Sequence, residues 1–115
     1  MTIKNTDELA KLVVNSLNEK KADNVRVLDI HDISSCADYF IVAAGDNKRQ
    51  VQTLADTIQE KMKAEGKEPV GIEGYPEASW ILLDYNEIVI HIFSQESRLF
   101  YDLERIWKDG KEIEF

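Results

Sequence analysis

The sequence predicts a single α/β domain with a mixed sheet of about four or five strands and three main helices, and three observations carry that expectation. Apolar residues recur at helical spacing in three stretches, about residues 7–20, 48–65 and 95–108. Between them lie short runs rich in branched and aromatic residues, at 25–30 and 37–44. Two further runs, 80–84 and 87–93, flank Tyr85-Asn86 in the pattern of an antiparallel hairpin.

Thr6 is expected to cap the first helix, with Asp7 and Glu8 in its opening turn and Leu9, Leu12, Val13, Ser16 and Leu17 on its buried side. A polar break at Lys20 to Asn24 leads into the strand Val25 to Ile30. Ala37 to Ala44 is almost continuously apolar, as expected of a central strand covered on both faces, and stops at Gly45. Asn47 and Gln50 resemble a capping pair for the second helix, whose stripe Val51, Leu54, Ala55, Ile58 and Met62 ends at Gly66. Pro69, Pro76, Gly71 and Gly74 allow only a short edge strand near Pro69 to Ile72. Ser94 can cap the last helix, with Leu99, Phe100, Leu103, Ile106 and Trp107 facing inward and Gly110 beyond its end.

Composition fits one folded domain spanning 1–115, with its ordered core at about 5–108. The chain has 115 residues, 43% of them hydrophobic and 31% charged, and typical domains hold about 100–150 residues. Fourteen basic against 22 acidic residues give a net charge of −8. A protein that grips phosphate backbone needs the opposite sign, so direct sequence-specific nucleic-acid binding is not expected, whereas a basic protein partner is compatible. The lone Cys36 can make no internal disulfide, and neither a secretory leader nor a membrane-length apolar stretch is seen. A cytoplasmic location without membrane association is the expectation.

Pairing across a Tyr85-Asn86 turn sets Asp84 against Glu87, Leu82 against Val89 and Trp80 against His91. Because side chains alternate, one face is uniformly aliphatic: Ile81, Leu83, Ile88, Ile90 and Ile92. The other mixes Trp80, Leu82, Asp84, Glu87, Val89, His91 and Phe93, a composition suited to docking a partner through aromatic anchors. On residue pattern alone the simpler explanation is a helix of the same chain covering this face, with Trp80 in ordinary packing and Asp84 and Glu87 at the wet end of the hairpin.

Catalytic patterns are missing. Cys36 stands five residues from His31, but there is no Gly-x-Ser-x-Gly elbow, phosphate loop or Gly-x-Gly-x-x-Gly. No His and Cys spacing suits a metal, and Asp29-Ile30-His31-Asp32 departs by one position from the Asp-x-Asp of two-metal enzymes. No cofactor or metal is expected.

Several blocks taken together resemble one family. Ala37-Asp38-Tyr39-Phe40-Ile41-Val42 with Gly45 and Arg49-Gln50-Val51, then Trp80-Ile81-Leu82-Leu83-Asp84-Tyr85, His91-Ile92-Phe93, and Arg98-Leu99-Phe100-Tyr101 with Leu103-Glu104-Arg105-Ile106-Trp107 are similar to the ribosomal silencing factor, or Iojap, family. The resemblance implies a nucleotidyltransferase-like fold without the catalytic carboxylates. It also implies a non-enzymatic translational repressor that binds the universal large-subunit ribosomal protein numbered fourteen and blocks joining of the small subunit when nutrients run short. The family's partner-binding region falls on Trp80, Leu82, Asp84, Tyr85, His91 and Phe93, with Tyr101 nearby. Asn47 stands where members often have Ser or Thr, and Asn86-Glu87 where they often have Gly-Asp. Alternatives at this point are a large-subunit assembly adaptor and a nucleotidyltransferase-type enzyme. An apolar face uncovered by its partner is also open to homodimer formation.

Overall fold

The computed structural model describes residues 5–30, 37–95 and 111–113. Its first helix, α1 (Thr6–Glu19), is capped by Asn5 and not by Thr6: the Asn5 side chain accepts a 2.8 Å bond from the Glu8 amide. Thr6 instead donates its hydroxyl to Glu87 at 2.7 Å, tying the helix start to the hairpin turn. Leu9, Ala10, Val13, Ser16 and Leu17 are buried, and Ser16 satisfies its hydroxyl on the Leu12 carbonyl at 2.7 Å.

After a turn through Lys21 (φ 60°), β1 (Asp23–Asp29) runs with an irregularity between Asp23 and Arg26, where Asn24 takes φ 51°. β2 (Tyr39–Gly45) then leads to α2 (Lys48–Ala64). Asn47 accepts from the Gln50 amide at 2.8 Å while the Gln50 side chain accepts from Asp46 at 2.6 Å, so the expected cap is present and reciprocal. Gly66 (φ 76°) ends the helix. Its amide bonds to Lys63 O and that of Lys67 to Met62 O, both at 2.9 Å, which satisfies carbonyls that would otherwise be stranded.

β3 (Gly71–Glu73), β4 (Trp80–Asp84), β5 (Ile88–Ser94) and β6 (Lys111–Ile113) complete a sheet of order β3-β4-β5-β2-β1-β6. β2 and β5 are parallel, and the other pairs are antiparallel. The mixed α/β sheet is the one expected, with β6 as an added edge; three residues carry too little pattern to announce a strand. Residues 96–110, holding most of the expected third helix and Tyr101, lie outside the described residues, as do His31, Asp32 and Cys36.

α1 and α2 pack on one side of the sheet. Their apolar stripes meet Val27, Ile41, Ala43, Ile81, Leu83, Ile88, Ile90 and Ile92 in one buried core. Ile41 to Ala44 are wholly buried, as the continuous apolar run requires of a strand covered on both faces. A second, smaller cluster of Leu28, Ile30 and Ala37 lies apart from it, with Phe40 and Val89 packed on.

Candidate docking face

The hairpin ladder sets Trp80 opposite Phe93, Leu82 opposite His91 and Asp84 opposite Val89. This differs by two residues from the pairing expected from a Tyr85-Asn86 turn. The tip is Asn86-Glu87: Tyr85 donates to Ile88 O at 2.9 Å, and Asn86, at φ 68°, donates its amide to the Asp84 carboxylate at 2.8 Å. Asn tolerates the left-handed region, which places it at the first tip position. The Glu87 carbonyl meanwhile accepts from the Asp38 and Tyr39 amides at 2.8 and 3.0 Å, anchoring the turn to the start of β2. A shift of two preserves side-chain parity, so both faces keep the expected membership.

Residues paired across strands form rows on the side away from α1 and α2. One row runs Leu28, Phe40, Val89, Asp84 and Gly71; the next runs Arg26, Val42, His91, Leu82 and Glu73. A third joins Ala44, Phe93 and Trp80. Exposure grades across them: Val42, Ala44, His91 and Phe93 are buried, Trp80, Leu82, Asp84 and Val89 are half-buried, and Glu73 is exposed.

Trp80 is held at both ends of its ring system. Its indole N–H donates to His91 Nδ1 at 3.1 Å, and its rings stack on Phe93 with centroids 5.1 Å apart. His91 also lies 5.0 Å from Phe40, edge to face. Indole can only donate, so His91 Nδ1 is unprotonated and the neutral ring carries its hydrogen on Nε2. Burial lowers the His91 pKa to about 4, which keeps it neutral at physiological pH. Nε2 is buried and has no hydrogen-bond partner among the described residues. The cluster fixes a half-buried indole on the same side of β4 as Leu82 and Asp84.

The family described as "Ribosomal silencing factor during starvation" matches residues 3–115. The chain belongs to the ribosomal silencing factor family. Ribosomal silencing factor RsfS of Halalkalibacterium halodurans is 36% identical over 107 residues, covering 93% of this chain and 92% of the relative. An X-ray structure of a Chromobacterium violaceum protein superposes with TM-score 0.85 at 35% identity, covering 100% of this chain and 92% of the other. A more distant relative is "Mitochondrial assembly of ribosomal large subunit protein 1" of mouse, 25% identical over 84% of this chain and 43% of that protein.

Among the residues that the family resemblance assigned to partner binding, Trp80, Leu82 and Asp84 share one accessible surface. His91 (5% exposed) and Phe93 (0%) lie behind it as supports, buried where accessible contacts were expected. Tyr85 departs from this face. Its odd position puts it with Leu83 on the helix side, where it packs on the main core with its hydroxyl buried and without a partner among the described residues. Burial and the nearby Glu68 push that phenol up to about 12. Asp84 is partly engaged in shaping the turn through Asn86. Tyr101 lies outside the described residues. The residue that sequence reasoning missed is Phe40, brought beside Val89 and His91 by β2–β5 pairing. Alternation within residues 37–44 marks its face, but only strand order brings it to the hairpin.

Proposed function

We propose that this chain represses translation by docking on the large ribosomal subunit in the cytoplasm and occluding the small subunit, without catalysing a reaction. The carrying observation is the half-buried Trp80, Leu82 and Asp84 surface, backed by buried His91 and Phe93 in a member of the ribosomal silencing factor family. An aromatic anchor held by stacking and a hydrogen bond loses little freedom on binding, which favours affinity. The neighbouring carboxylate and the net charge of −8 suit a basic protein. The partner implied by the family resemblance is the universal large-subunit protein numbered fourteen.

Occlusion needs bulk and affinity alone. Asp29 ends β1 and Asp38 precedes the neighbouring β2, so these two carboxylates stand closest to where a metal-binding pair of adjacent strands would be sought. Asp38 holds the sheet through its backbone, accepting from the Ile30 amide at 2.8 Å, which Asn would preserve. Folded Asp29→Asn and Asp38→Asn proteins are expected to prevent joining of purified subunits as the unmodified chain does. A variant that binds large subunits but no longer blocks joining would count for an enzyme. The mouse relative's name favours a second reading, an assembly adaptor. Under that reading the protein co-sediments with immature large particles and leaves joining of mature subunits unchanged.

A further inference from the structure

β3 ends the sheet beside β4, and among the described residues no strand pairs with its other side. The direction of its backbone groups follows from the ladder across β4. Tyr85 donates to Ile88 O at 2.9 Å and Ser94 donates to Ser79 O at 3.0 Å, so odd-numbered residues there bond toward β5. Even-numbered Leu82 and Asp84 therefore turn toward β3, where their partners are Glu73 and Gly71. Ile72, between those two, points its N–H and C=O away from the sheet. Val70 donates to Asp84 O at 2.7 Å and fixes the strand's entry.

Side chains at this edge are unusual for a boundary exposed to water. Val70 is 64% exposed and Ile72 38%, and both are β-branched residues that favour extended pairing. Natural edges are commonly guarded by charge or proline; here Pro69 and Glu73 flank the edge and no lysine stands on it. Glu73 lies beside Leu82, so the edge continues the docking row directly.

Charge selects the occupant. From 67 to 77 the chain carries Lys67 against Glu68, Glu73 and Glu77, and all three carboxylates are exposed. A second copy would bring acid toward acid on molecules that each carry −8, whereas an extended basic segment meets opposite charge. We infer that the open edge of β3 takes up an extended, Lys- or Arg-bearing segment of the protein partner by strand addition, beside Trp80, Leu82 and Asp84 of β4. Main-chain bonds to Ile72 give the segment its register, and the acidic flank gives it its charge preference. This rests on the large-subunit reading.

The test uses the full chain with purified bacterial large subunits, combining co-sedimentation with hydrogen exchange at the Ile72 amide. Ile72→Pro removes the outward N–H and no bond of the sheet, and is expected to weaken binding about tenfold at nearly unchanged melting temperature. Glu73→Lys should weaken it by a similar factor of about ten. In the unmodified chain the Ile72 amide should exchange at least about tenfold more slowly once subunits bind. Wild-type affinity in Ile72→Pro with an unprotected Ile72 amide overturns strand addition and leaves the large-subunit reading standing. Wild-type affinity in Glu73→Lys overturns the basic character of the segment. A free chain that dimerises with Ile72 protected assigns the edge to a second copy. If Ile72→Pro does not fold, exchange at Ile72 in the unmodified chain decides. Failure of the unmodified chain to co-sediment removes the large-subunit reading and this inference with it.

Discussion

Trp80 and His91 are coupled by one hydrogen bond: the indole is half-buried, and the buried imidazole accepts from its N–H. Trp80→Ala removes the anchor and is expected to weaken large-subunit binding by more than tenfold, since central aromatic anchors commonly contribute at least about 2 kcal/mol. Trp80→Phe keeps a ring for Phe93 to stack on and leaves His91 Nδ1 without its donor. It should cost about 1–2 kcal/mol of stability by urea melting while retaining more binding than Ala. Loss of stability in Trp80→Ala with unchanged binding per folded molecule would make the side chain structural only. The lowered His91 pKa predicts a pH effect of defined sign. Unfolded histidine takes up a proton below about pH 6.5, while the folded ring does so only near 4. In that window the unfolded state binds more protons, so stability is full above it and falls on acidification, by about 2 kcal/mol at pH 5. His91→Phe should flatten this part of the stability profile. An equal loss between pH 7 and 5 in both proteins would place the titration elsewhere.

At the scale of elements, the turn before β4 decides where the anchor stands. Gly74 has φ 79°, and a Cβ there would run into the Trp80 carbonyl oxygen. Gly66 has a similar φ of 76°, but a Cβ there would meet nothing within 4 Å. Gly66→Ala should therefore cost only the left-handed backbone penalty, about 1–2 kcal/mol. Gly74→Ala should cost clearly more and shift the environment of Trp80, seen as a changed indole fluorescence. Equal costs with unchanged fluorescence would show that the 74–79 turn adapts freely. Much of this level is legible in the sequence. α2 announces itself by an uninterrupted stripe with both ends marked, and the hairpin faces survive a two-residue error in register because parity alone assigns a side. The tip is harder to place because Tyr85-Asn86 and Asn86-Glu87 both offer an Asn, and the choice is made by contacts of Glu87 with β2, far away in sequence. Strand order is hidden for the same reason, and with it Phe40. Family resemblance puts Tyr85 on the docking face, against the alternation that sets it beside Leu83. Asn5 and Thr6 are both capable caps, and the Glu87 carboxylate that engages Thr6 decides between them.

Among the described residues the molecule is a sheet with two helices on one side and half-buried Trp80, Leu82 and Asp84 on the other, in a chain of net charge −8. That charge bears on encounter more than on residence. With −8 on 115 residues, a basic partner feels attraction over about 30 Å at 0.01 M salt but only about 8 Å at 0.15 M. If the protein is steered, its association rate with large subunits should fall by roughly tenfold or more between those conditions. Dissociation should change little, because it is governed by the desolvated indole and the contacts around it, which salt screens weakly. Stopped-flow association and washout dissociation, measured on the same preparation, separate the two. Neutralising a carboxylate at the docking edge, as in Glu73→Gln, should lower association at low salt, whereas Glu19→Gln at the end of α1 should matter less at equal net charge. Identical effects from both would mean that overall charge attracts the partner without orienting it. A rate independent of salt would assign recognition to the apolar surface alone, and the acidity of the chain would then serve solubility.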